Sequence, residues 1–230
     1  MPGQQRRPEA ERGKVIAMAD FFEARRYRAA AMVEAYWQAL RGTRLMPARS
    51  EVDPRRIEDA LEHAFLLERI APRHGRLRIA GRHLCDLAGT EVRGMPLSAL
   101  FDATGRTALG EALEQVMDGP GLVTLDIAAP AGLGRAALEG RLLMFPLRSD
   151  LGDVSRVLGC LETTGAIGRP PRRLQVLATR VTPLVAEAGP PAPSEIAPGF
   201  AEATETYDPG PPRPRRKAPH LRLVSTQDDD

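Results

Sequence analysis

Arg76-Leu77-Arg78-Ile79-Ala80-Gly81 alternates basic and apolar side chains with a period of two and stops at a glycine. That is the pattern of a half-buried β-strand, with one set of side chains toward a core and the other toward water. Immediately upstream, Phe65-Leu66-Leu67-Glu68-Arg69-Ile70 is a second short apolar run, and the loop from Ala71 to Gly75 predicts that the two pair as an antiparallel hairpin.

Working toward the C-terminus, Arg82 to Ala88 places Leu84 and Leu87 at helical spacing and stops at Gly89. Pro96 to Phe101 is a second short helical piece after Gly94. Arg106 to Met117 presents Leu109, Leu113 and Val116 on one face, and Asp118-Gly119-Pro120-Gly121 breaks it. Three strand-like runs follow, Leu122 to Ile127, Ala137 to Leu147 and Val154 to Thr163. Gly132-Leu133-Gly134-Arg135-Ala136-Ala137 imitates a dinucleotide-binding glycine turn, but Pro130 precedes it and a strand follows, so it reads as a hairpin turn. The order strand, strand, short helices, longer helix, three strands predicts an α+β domain. Its five-stranded antiparallel sheet carries short helices on one face.

Working toward the N-terminus, Met32, Val33, Tyr36, Trp37 and Leu40 fall at helical spacing across residues 28–41, with Gly42 as the stop. Trp37 reads as the core anchor of that helix. Asp53 followed by Pro54 starts a second helix over roughly 54–62, which offers Ile57 and Leu61 to the core. Arg44 and Arg49 bracket the connection; they either hold an anion or tie the loop down through carbonyls and Asp53, and the structural role is favoured.

The element order is similar to the PAS fold. Tyr36-Trp37, Leu40-Arg41, Arg44-Leu45-Met46-Pro47-Ala48-Arg49 and Asp53-Pro54 resemble the lead-in of a divergent family of small stand-alone bacterial PAS proteins. Arg76 to Gly81 with Gly89, Gly94 and Phe101, and Pro146-Leu147 with Leu158-Gly159, extend the resemblance over residues 28–164. It marks Trp37, Arg44, Pro47, Arg49, Asp53 and Pro54 as signature residues and implies a regulatory role, without a shared ligand. The expected organisation is an N-terminal extension (1–27), a helical lead-in (28–62), a PAS-like core (63–164) and a largely disordered C-terminal extension (165–230).

The PAS resemblance implies a pocket between sheet and helices. Its expected lining is Ile79, Leu84, Leu87, Phe101, Leu113, Leu125, Leu143 and Phe145; the competing reading is plain core packing. The resemblance names no cofactor. The long helix has no histidine to serve as an axial haem ligand, and His63, His74 and His83 lie elsewhere. Cys85 stands in Leu84-Cys85-Asp86 rather than in the Asn-Cys-Arg word of flavin photosensors. Cys85 and Cys160 read as small buried apolar residues, with redox sensing open only to an exposed thiol of lowered pKa.

Composition narrows the class. The 32 Lys and Arg nearly balance 30 Asp and Glu, and aromatics are 4%, which argues against a nucleic-acid surface built on charge or stacking. Phosphate-loop, paired metal-histidine and serine-elbow words are missing, so the expectation is a non-enzymatic module. It would work through a signalling partner or self-association, with a small-molecule ligand left open and no nucleic acid. No stretch approaches the roughly 20 apolar residues of a membrane span, and no signal peptide is evident, so the expected location is the cytoplasm. From Gly189 the chain is proline-dense, and about 187–220 reads as disordered, with a basic cluster at Arg213 to Lys217. His220 to Val224 is an apolar island, an added edge strand or an idle terminus. For residues 172–186 the period decides neither helix nor strand.

Overall fold

The computed structural model describes residues 25–185. Its six strands are β1 (Ala64–Ala71), β2 (His74–Ala80), β3 (Gly121–Ala129), β4 (Leu138–Arg148), β5 (Val154–Thr164) and β6 (Gln175–Pro183). They form one sheet in the order β2-β1-β5-β4-β3-β6, antiparallel at every step. The helices are α1 (Arg28–Arg41), α2 (Arg82–Ala88) and α3 (Ala103–Met117), with 3-10 turns at Pro54–Ala60 and Leu97–Leu100. Asp102 caps α3 by accepting the Gly105 N–H at 2.7 Å, and Gly89 ends α2 in the left-handed region at φ 74°.

The expected five strands are all present, and a sixth joins them. The segment whose period was undecided supplies β6, which pairs with β3 from Gly121↔Pro183 to Ala128↔Gln175. It is an edge strand with most side chains exposed, so it has little apolar alternation to read. The sheet therefore continues past residue 164. The expectation of disorder over 187–220 and the two readings of His220 to Val224 lie outside the described residues.

Both faces of the sheet are covered. On the inner face, α2, α3 and the Leu97–Leu100 turn pack on Leu67, Leu77, Val123, Leu125, Leu142, Met144 and Leu161. On the outer face, α1 and the Pro54–Ala60 turn pack on Leu66, Leu143, Phe145, Leu147 and Leu158. Strand β4 is shared, and Leu142 through Leu147 are all buried because neighbours on a strand point to opposite faces.

The lead-in finishes β4. Pairing of β3 with β4 stops at Val123↔Met144, so the same side of β4 is open beyond that point. Pro146 follows, where a missing N–H costs no ladder bond. Its carbonyl accepts the Trp37 indole N–H at 3.1 Å, and Arg148 N–H donates to the Pro47 carbonyl at 3.0 Å. The Trp37 ring stacks on Phe145 with centroids 5.6 Å apart. Tyr36 holds the rest of the loop, its hydroxyl accepting the Asp53 N–H at 2.7 Å. Glu162 of β5 accepts the Ala30 N–H at 3.0 Å, a carboxylate at the N-terminus of α1 that its own sequence does not provide.

At the other end of the sheet Arg172 is buried without a carboxylate partner among the described residues. Its guanidinium donates to the carbonyls of Ile167, Ala129, Pro130 and Ala136, the Ala136 bond at 2.7 Å. One side chain thus ties the β3–β4 loop to the segment leading into β6.

Candidate functional site: an apolar cleft on the outer face

The eight residues expected to line one pocket are split by the sheet. Leu84, Leu87, Phe101, Leu113 and Leu125 meet in the inner core, where they are buried against one another and their neighbours. Leu143 and Phe145 face the other way, under α1. Ile79 belongs to neither core; it is 53% exposed. The reason is register. A strand buried on both faces shows no alternation, so the choice of Leu143 and Phe145 over Leu142 and Met144 had no pattern to rest on. A register shift between Leu66 and Leu67 opposite Arg78 similarly turns Ile79 away from the side that takes Leu77.

Ile79 lies instead in a cleft of about 330 Å³ between the sheet and the lead-in. Leu66, Leu158 and Ile79 come from the sheet; Val52, Pro54, Ile57 and Leu61 come from the lead-in. Gly81 closes the end of β2 there, because a Cβ would stand 2.1 Å from the Glu62 carbonyl oxygen. Leu61, expected in the core, is 38% exposed at the cleft, whereas Ile57 is buried as expected. Two signature residues, Arg49 and Pro54, also line it.

The arginines of the lead-in have different surroundings. Arg44 makes a paired contact with Glu51 at 2.8 and 2.7 Å and also donates to the Leu40 carbonyl, so it ties the loop through Glu51 rather than Asp53. That guanidinium, with the Ala48 N–H, holds the Glu51 carboxyl down to about 2. Asp53 instead accepts the Arg55 N–H at 3.0 Å, capping the turn that Pro54 begins. Among the described residues Arg49 has no side-chain hydrogen bond or ion pair. One step along the same face, Glu68 is shared by Arg76, Arg78 and Arg156, the last at 2.7 Å. Arg78 first, then Arg156 and Arg76, hold the Glu68 carboxyl below its ordinary range against the opposing effect of burial.

The histidines form a second polar feature that sequence reading treated singly. His63 and His83 have ring centroids 4.6 Å apart, and His83 Nε2 lies 3.0 Å from the Thr163 hydroxyl. Burial, and then the neighbouring His63 ring, push His83 down to about 4. Cys160 is buried in the outer core, and burial raises its thiol pKa, the surroundings of a packing rather than a reactive cysteine. Cys85 is half-buried with Sγ 3.7 Å from Glu91.

An antiparallel sheet with α2, α3 and short turns on one face, and a lead-in helix on the other, defines an α+β domain. The model of the PAS domain family matches residues 25–162, and the chain belongs to that family. Among solved structures, a light-oxygen-voltage domain studied with a flavin analogue shares 16% identity and a TM-score of 0.37, covering 48% of this chain and 83% of that one. An RNA-binding light-oxygen-voltage receptor shares 21% identity and a TM-score of 0.36, covering 50% of this chain and 35% of that one. No curated protein matches the chain. The family supports a sensory module as the broad role. No helix among the described residues is long and apolar enough to cross a membrane.

Proposed function

We propose that this chain is a non-catalytic PAS-type regulatory module whose input is a small apolar ligand in the outer-face cleft. Its output is contact with a signalling partner or a second copy. The observation that carries this is the cleft itself. Its apolar walls belong half to the sheet and half to the lead-in, and Ile79 and Leu61 remain accessible at its mouth. A ligand there touches the lead-in turn and the sheet together, and so acts on the packing of one against the other. The module's organisation is proposed as lead-in, core and β6 extension, acting as one binding unit.

The packed inner core favours a second reading, a ligand-free adaptor. Leu84, Leu87, Leu97 and Leu125 are fully buried by side chains where a PAS ligand would be expected to sit. An adaptor would present the same exposed Ile79 and Leu61 to a protein. Native mass spectrometry of freshly purified protein separates the two. A stoichiometric small molecule that leaves on unfolding, and that Ile79→Asp fails to retain, supports the ligand reading. A ligand-free species whose self-association by light scattering is lost in Ile79→Asp supports the adaptor. Retention of a ligand by Ile79→Asp at wild-type level moves the site to another part of the molecule.

A further inference from the structure

We infer that the cleft takes an amphiphilic monocarboxylate, an acyl or aryl chain with one anionic end, bound by Arg49; this rests on the reading that the cleft is a small-ligand site. The volume, about 330 Å³, is at the low end of small-molecule sites, which span roughly 300–1,000 Å³. Apart from Arg49, its named walls are apolar side chains or small residues: Val52, Ile57, Leu61, Leu66, Ile79 and Leu158 chief among them. Such a surface accepts a hydrocarbon and selects nothing about it.

Selection comes from the charge. A guanidinium always carries its proton and offers five donors in a planar fork that matches a carboxylate. The other signature arginine of the loop, Arg44, meets that need with Glu51 at 2.7 Å. Arg49, three residues before Val52 in the cleft wall, is half-buried and meets it with nothing among the described residues. Further along the face, Leu66 and Leu158 pair across β1 and β5, and two residues on, Glu68 pairs with Arg156. There a single carboxylate faces Arg76, Arg78 and Arg156, an excess of two positive charges beside the apolar floor. Among the described residues, buried Arg76 Nε has no hydrogen-bond partner either. Ala48, next to Arg49, bridges Arg148, and Arg156 pairs with Leu147, so Arg49 and this cluster lie toward the same end of the outer face. An anionic end is thus attracted to that end of the cleft, and a cationic end is repelled. Leu61 and Ile79 at the mouth cover the chain, while the carboxylate at Arg49 keeps partial contact with water, so full desolvation of the pair is avoided.

Three eight-carbon probes test this by isothermal titration and by the methyl shifts of Ile79: octanoate, octan-1-ol and octylammonium. Octanoate is expected to bind about tenfold more tightly than octanol, the ordinary worth of a charge-assisted hydrogen bond, and octylammonium more weakly than either. Arg49→Gln should lower octanoate affinity to the octanol level and leave octanol unchanged. Equal affinity of octanoate and octanol, or an unchanged Arg49→Gln, overturns the carboxylate while leaving the apolar cleft in place. Failure of all three probes to move Ile79 overturns the ligand site itself. Arg49 opens the short 3-10 turn Arg49–Glu51, and its side chain has no partner among the described residues, so Arg49→Gln should keep the wild-type melting temperature, and that equality is the control.

Discussion

The Trp37 indole N–H donates to the Pro146 carbonyl across 109 positions of sequence, at 3.1 Å in a buried setting. This bond joins the lead-in to the part of β4 where pairing with β3 has ended, and it accompanies ring stacking on Phe145. Trp37→Phe keeps the stacking and leaves a buried carbonyl without a donor. We expect it to cost about 2–3 kcal/mol, and Trp37→Ala about 3–5 kcal/mol through the added cavity. Urea denaturation followed by circular dichroism measures both; near-equal midpoints for wild type and Trp37→Phe would show that the hydrogen bond contributes nothing.

His83 makes stability depend on pH in a defined window. Its folded value of about 4 lies below its ordinary 6.5, so the unfolded chain takes up a proton first as pH falls. Its contribution is intact above about 6.5, is lost progressively on acidification, and stops changing below about 4. The full span is about 3 kcal/mol, from 1.36 kcal/mol per unit. His83→Gln should flatten this window. Charged groups around the pair include Asp86 on α2, and Asp59, Glu162 and Arg28, which line a cleft with His63. If His83→Gln keeps the wild-type slope between pH 6.5 and 4, the pH dependence does not come from His83.

Gly159 faces Phe65 across β5 and β1, and a Cβ there would stand 2.1 Å from the ring. Gly159→Ala must push a fully buried ring out of its place, at about 1–3 kcal/mol. Phe65→Leu should recover part of that loss in the double variant, giving a coupling energy of opposite sign to the single effects. Strict additivity in thermal melts would place the strain elsewhere.

Arg172→Met removes the donors to four carbonyls that come from two separate segments. Relief of the buried charge offsets part of the loss, leaving about 1–3 kcal/mol of destabilisation. Arg172→Lys should restore less than half, because one ammonium cannot span the same set of oxygens. Hydrogen exchange should quicken first in the β3–β4 loop; an unchanged loop would show that the staple is dispensable.

Much of the architecture was legible because it rests on punctuation. Gly42 and Gly89 end the helices where expected, and Asp53-Pro54 opens a helical turn, though of the 3-10 kind. Arg28–Arg41 and Arg82–Ala88 coincide with the residues expected for them. The long helix begins earlier than Arg106, at Ala103, because Asp102 supplies a cap that its apolar spacing does not reveal. Strand β6 was illegible for lack of a buried face. The site was harder. Its residues came from two unrelated expectations, Ile79 from the pocket and Arg49 with Pro54 from the signature, and only the fold brings them together. Leu143 and Phe145 show the limit of periodicity: in an all-apolar run the two faces look alike.

The join between α1 and β4 also has a meaning in time. On the ribosome, α1 emerges with Ala30, Val33 and Trp37 uncovered, and its partners on β4 and β5 follow roughly a hundred residues later. At synthesis rates of roughly 5–20 residues per second, that interval is about 5–20 seconds. For that time the helix has the Pro54–Ala60 turn and Leu66 of β1 for company, but not the β4 and β5 residues that complete its cover.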